Sequence, residues 1–139
     1  MKLPEKLEEV IEDFKTLETN TEKYEELLQY GEELEDIPTE FKTKENLVPG
    51  CTSVVYIKGI IEDDRVKFYG SSDSYLVKGL VAILVNGFAH MKASTFIQVQ
   101  PNFLIELGLT ETLSSTRANA SVNIFNMMKE QILNELNKK

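Results

Sequence analysis

Cys51 is the only cysteine in 139 residues, and it is the one strong nucleophile the chain contains. The thiolate is the reacting form of such a residue, so its chemistry depends on ionisation and access. A single thiol excludes an intramolecular disulfide framework, a CxxC redox pair and any zinc or cluster site built from several cysteines. His90 is the only histidine. A cysteine hydrolase would therefore have to pair it with Cys51, while a capping or surface histidine is the plainer reading. Arg117 falls in the first turn of a C-terminal helical segment, where the helix dipole disfavours a cation. It reads either as an ordinary carboxylate partner or as part of an anion site with free helix N–H groups. Asp73 reads as a helix cap. Met91, Met127 and Met128 show no metal-ligand spacing, and no glycine-rich phosphate loop occurs.

Position leaves two roles open for Cys51. Free cysteine is among the most buried residue types, yet Cys51 follows the turn-forming pair Pro49-Gly50 and precedes a β-rich run. A residue there is presented at a loop tip or strand edge.

The elements that must hold these residues follow from the pattern. Leu3, Leu7, Val10, Ile11, Phe14 and Leu17 recur at helical spacing, with Pro4 suited to a first turn. Thr19 and Glu22 have capping-box spacing and open a second helix with Tyr24, Leu27, Leu28 and Leu34 inward. Residues 36–50 lose the period and read as a long loop ending in Val48-Pro49-Gly50-Cys51. Ser53 to Ile61 has strand composition, Glu62 to Arg65 is a polar turn, and Val66 to Gly70 returns as a second strand. A third strand is expected at Phe96 to Gln100. Ser71 to Ser74 offers caps for a helix that is apolar nearly all round and belongs in the core. Pro101 to Leu107 reads as a short helix closed by Gly108. Ser114-Ser115-Thr116 caps a last helix with Ala118, Val122, Phe125, Met128, Ile132 and Leu136 on its inner stripe. The fold class expected is α+β: a small antiparallel sheet of about three strands packed with helices, in a single domain over residues 1–139.

The bulk numbers narrow the class of partner. The net charge of −8 is uneven: residues 1–45 hold 15 acidic and 6 basic side chains, a net of −9, and the rest is nearly neutral. An acidic chain without a basic stripe is not expected to bind nucleic acid. The start, MKLPEKLEEV, is not of secretory type. The uncharged stretch from Gly79 to Met91 is too short to span a bilayer. A free thiol with no such signals points to the cytoplasm.

Three ordered blocks carry a resemblance. Asn46-Leu47-Val48-Pro49-Gly50-Cys51-Thr52-Ser53 resembles the active-cysteine motif of the SufE family, proteins that accept sulfur from cysteine desulfurases. Gly70-Ser71-Ser72-Asp73 followed by Val77-Lys78-Gly79-Leu80 resembles the family's second block. Leu107-Gly108-Leu109 with Leu113-Ser114-Ser115-Thr116-Arg117-Ala118-Asn119 resembles its third. The resemblance runs from about Tyr24 into the last helix. It implies an α+β fold similar to the IscU scaffold, with Cys51 as persulfide carrier and Arg117 near it as an anion or thiolate stabiliser or partner contact. It also implies a pyridoxal-phosphate-dependent desulfurase of SUF (SufS) or CSD (CsdA) type as donor, a SufBCD-type scaffold as recipient, stimulation of the desulfurase, and no cofactor or metal of the protein's own. A homodimer is left open. Two positions depart from the family pattern: Thr52 stands where glutamine is usual, and Tyr56 where tryptophan is usual. The readings that compete with sulfur acceptance are a non-catalytic desulfurase adaptor and a hydrolase using Cys51 and His90.

Overall fold

A computed structural model describes residues 3–108 and 115–138, with the backbone alone for residues 115–117. Helix α1 (Glu5–Lys15) buries Leu7, Val10, Ile11 and Phe14, the stripe its spacing predicts. Helix α2 (Asn20–Glu32) begins at the predicted capping box: Glu22 N–H donates to Thr19 Oγ1, and the Glu22 carboxylate accepts the Thr19 N–H. Leu27 is buried on α2, whereas Leu28 is 41% exposed, one position off the inner face. The loop that follows contains two 3₁₀ turns, Thr39–Phe41 and Lys44–Asn46.

Strands β1 (Val55–Glu62) and β2 (Arg65–Ser72) pair antiparallel, with Val55 opposite Ser72 and Ile61 opposite Val66. Asp63 and Asp64 turn the hairpin with positive φ, a conformation that aspartate tolerates better than most residues. Helix α3 (Tyr75–Gly87) is buried almost all round and lies between the hairpin and α2. Its closest approach is at Gly79, where an added Cβ would stand 2.2 Å from the Leu27 carbonyl oxygen. Two short helices, α4 (Ala93–Phe96) and α5 (Phe103–Glu106), lead to the long α6 (Ser115–Asn137), which packs along β1.

Among the described residues the sheet has two strands, which corrects the third expected at Phe96 to Gln100. The segment from Phe96 to Gln100 is instead the end of α4 and a turn. Phe96 is fully buried and sits in a ring cluster with Phe68, Phe88 and Phe125, at centroid separations from 5.1 to 6.0 Å. Burying a large ring outweighs the weak strand preference of a run this short. The stripe of α6 also sits slightly off the expected register. Phe125, Met128 and Ile132 are buried as predicted, but Ile124 takes the place expected for Val122, which is 36% exposed. The architecture is α+β, with most of the buried apolar residues joined in one cluster between the hairpin and helices α1, α3 and α6.

Candidate functional site

Cys51 lies on a short loop strung between two fixed points. On the N-terminal side Val48 N–H donates to the Val55 carbonyl at 2.8 Å, and Leu47 bridges Tyr56. On the C-terminal side Asp73 Oδ1 accepts the Val54 N–H at 2.9 Å, and Asp73 N–H donates to the Val54 carbonyl at 3.2 Å. Asp73 was expected to cap α3. Ser74 does so instead, its hydroxyl accepting the Val77 N–H. Asp73 sits one residue earlier, at the exit of β2, where the hairpin register brings it against the backbone that follows the cysteine.

Between these anchors the chain turns sharply. Gly50 has φ +76°, a conformation glycine adopts without the Cβ penalty. Its carbonyl accepts a 3.3 Å hydrogen bond from the Asn123 side-chain amide of α6. The turn sets Cys51 half-buried against the edge of the core, with Thr52 exposed beside it. Burial pushes the Cys51 thiol above its ordinary pKa, because a thiolate loses hydration in an apolar setting.

Asn46, in the same loop, is 8% exposed. Its amide donates to the Phe41 carbonyl at 2.8 Å, and its Oδ1 accepts from Gln131 Nε2 at 3.4 Å. Gln131 also accepts the Gly59 N–H and donates to the Ile57 carbonyl. One carboxamide on α6 thus closes the outer edge of β1 and ties it to the cysteine loop. A groove of about 400 Å³ runs between this loop and α6, lined by Leu47, Pro49, Asn123, Asn126 and Asn134 among others. A larger groove of about 510 Å³, between α1 and residues 98–106, holds neither Cys51 nor His90.

The other predicted site residues are placed as follows. His90 has φ +69°, and its N–H donates to the Val66 carbonyl. Val66 pairs with Ile61, at the far end of the hairpin from Cys51. Ile61 lies six positions along the strand from Val55, roughly 20 Å at the usual rise. The structure does not bring Cys51 and His90 together. The Arg117 side chain lies outside the described residues. Its backbone is in the first turn of α6, six positions before Asn123, or about 9 Å along the helix axis. Asn46 is marked by the sequence only as the first residue of the block around Cys51, and Asn123 and Gln131 are not marked at all. The signal available was a row of carboxamides along one side of α6, Asn123, Asn126, Gln131 and Asn134, which line the groove together with Met127 and Glu130.

Among the described residues no helix is long and apolar enough to cross a membrane. Residues 8–132 match the family model of the SufE Fe–S metabolism associated domain. Over 123 residues the chain is 34% identical to the cysteine desulfuration protein SufE of Wigglesworthia glossinidia brevipalpis, covering 86% of this chain and 85% of that protein. It is 36% identical to the chloroplastic/mitochondrial SufE-like protein 1 of Arabidopsis thaliana over 94% of this chain, and spans 36% of that longer relative. The solution structure of a hypothetical protein from Thermus thermophilus superposes with a TM-score of 0.83 over 98% of this chain and 99% of that one. At 21% identity this last likeness is one of fold.

Proposed function

The chain belongs to the SufE family, whose domain is associated with Fe–S metabolism, and on that premise we propose that Cys51 accepts persulfide sulfur from a pyridoxal-phosphate-dependent cysteine desulfurase. The observation that carries the reading is the setting of the thiol: the lone cysteine sits on a glycine turn anchored on both sides, half-buried. A relative named as a cysteine desulfuration protein covers the same residues.

The step balances without an external oxidant. Cys51 gives its proton to water or a nearby base, and the thiolate attacks the terminal sulfur of the desulfurase cysteine persulfide. A new S–S bond forms at Cys51 as the old one breaks. The desulfurase leaves as a thiolate and takes up a proton, so one sulfane sulfur has moved and no net oxidation has occurred. The rate follows thiolate fraction and access, as in thiol–disulfide exchange. Because burial disfavours the thiolate, exposure of Cys51 on docking or positive charge beside it would raise the thiolate fraction. Arg117, in the first turn of α6, is the residue of this chain proposed to supply that charge. A SufBCD-type scaffold is the proposed recipient, the cytoplasm the proposed compartment, and residues 1–139 act as one sulfur-carrying domain.

The experiment combines the protein with a cognate desulfurase and free cysteine and follows turnover under reducing conditions. Wild type is expected to stimulate turnover and Cys51→Ser to abolish the stimulation. Full stimulation by Cys51→Ser would replace this reading with that of an adaptor acting by binding alone. Arg117→Ala is expected to slow transfer more than it lowers stability, and equal transfer rates would remove Arg117 from the site. The hydrolase reading is disfavoured by the placement of His90 at the far end of the hairpin.

A further inference from the structure

We propose that Asn123 is a positioning residue for the Cys51 thiol: its side-chain amide, clamped on the Gly50 carbonyl, holds the cysteine turned inward and sets how often it is presented to a partner. This deepens the function proposed above and rests on Cys51 being the reacting group.

Three observations carry it. First, Val48 and Val54 are tied to the rest of the fold by backbone and Asp73 hydrogen bonds. Among the described residues, the Asn123–Gly50 bond is the one hydrogen bond made by the five residues between them. Releasing it frees the loop while both anchors stay in place. Second, the two partners fit one another closely. Gly50 has φ +76°, and a Cβ added there would lie 2.8 Å from Asn123 Nδ2. The absence of a side chain at position 50 lets the amide reach the carbonyl of the residue just before the thiol. Third, the clamp has a rigid mount and an open side. Asn123 precedes the fully buried Ile124 and Phe125, so it is fixed to the core, yet it also lines the groove beside Pro49. A partner segment entering that groove meets the amide directly and can take over its hydrogen bond. A single neutral hydrogen bond has a modest net worth, which a docking surface can offset without unfolding anything. The resting protein thus keeps its thiol protonated and shielded, and docking changes both.

The test uses the full chain without any desulfurase and iodoacetamide as probe. Asn123→Ala removes the donor, and Asn123→Asp keeps the shape but presents only oxygen to the carbonyl. Asn126→Ala, in the same groove but without a bond to the loop, is the control. Both Asn123 variants are expected to raise the alkylation rate of Cys51 about two- to tenfold, the range that loss of one hydrogen bond from the closed state allows. They should also shift the alkylation pH midpoint down toward that of the unfolded chain, while Asn126→Ala matches wild type. A merely structural role would lower the melting temperature and leave the midpoint alone. Wild-type rates and midpoints in both Asn123 variants overturn the proposal. Should those variants be too unstable to compare, Gly50→Ala gives a second route. It crowds the amide with Asn123 itself in place and should accelerate alkylation of Cys51 relative to both wild type and Asn126→Ala, and a wild-type rate in Gly50→Ala overturns the clamp. Alkylation reads the clamp and desulfurase-dependent sulfur loading reads the acceptor function. Shifted alkylation with no loading would retain the clamp and remove the function, and the reverse would remove the clamp alone.

Discussion

Asp73 and Val54 exchange two hydrogen bonds, Val54 N–H to Asp73 Oδ1 at 2.9 Å and Asp73 N–H to the Val54 carbonyl at 3.2 Å. The end of β2 thereby closes the loop that carries Cys51. The carboxylate makes the side-chain half of this exchange. Asp73→Ala is expected to cost about 1.5–3 kcal/mol, the range for a hydrogen bond to a charged group, and to accelerate Cys51 alkylation. Asp73→Asn retains an acceptor and should lie nearer wild type. Urea unfolding and alkylation rates check both, and an Asp73→Ala protein with unchanged thiol reactivity would show that this anchor does not restrain the loop.

Gln131 binds the Gly59 N–H, the Ile57 carbonyl and Asn46 from a single side chain. Gln131→Ala leaves the β1 edge and the partly buried Asn46 amide short of partners. The expected loss is about 2–3 kcal/mol, since unmade buried hydrogen bonds cost more than made ones contribute. Gln131→Glu keeps an acceptor for Gly59 but cannot donate to Ile57, and should fall between. Chemical denaturation measures both, and a loss under about 0.5 kcal/mol in Gln131→Ala, the scale of an ordinary surface change, would contradict the role.

Gly79 lets α3 approach α2 so closely that a methyl group would overlap the Leu27 carbonyl. Gly79→Ala gains a little helix propensity but forces the helices apart, for a net loss of about 2–3 kcal/mol. Stability should fall while the chemistry at Cys51 survives in whatever fraction remains folded. Thermal melts with sulfur-transfer rates corrected for folded fraction distinguish this from a functional glycine.

Burial raises the Cys51 thiol pKa, so at neutral pH the folded chain holds less thiolate than an exposed cysteine with a pKa of about 8.5. The pH midpoint of alkylation should lie above that of the same protein unfolded in urea. The stability sign follows. A group whose folded pKa is raised contributes fully below its unfolded value, and that contribution is lost as pH rises through the thiol range. Unfolding free energy should therefore decline more steeply above about pH 8.5 in wild type than in Cys51→Ser. Coincident midpoints for folded and unfolded protein would contradict the burial.

Much of the fold was legible locally. Period and caps marked α1, the Thr19–Glu22 box and the buried α3, and strand composition with a polar turn marked the hairpin. Cys51 was legible as a loop residue before β1. The misplaced third strand shows the limit of composition, because the aromatic cluster takes up Phe96. Asp73 reads as a cap since a local pattern cannot show Val54, 19 positions away. The carboxamide contacts of Asn123 and Gln131 span 72 to 85 positions, and no periodicity reports them. What local pattern leaves unread is the pairing of polar groups across the fold, and the cysteine loop is held by such pairs.

The central claim is that Cys51 carries the sulfur. Intact-mass measurement of the protein after incubation with desulfurase and free cysteine, followed by peptide mapping, tests it most directly. The expected result is a gain of one sulfur atom on the peptide containing Cys51, removed by a reducing agent and absent from Cys51→Ser. No gain on wild type under conditions where the desulfurase turns over, or the same gain on Cys51→Ser, would contradict it.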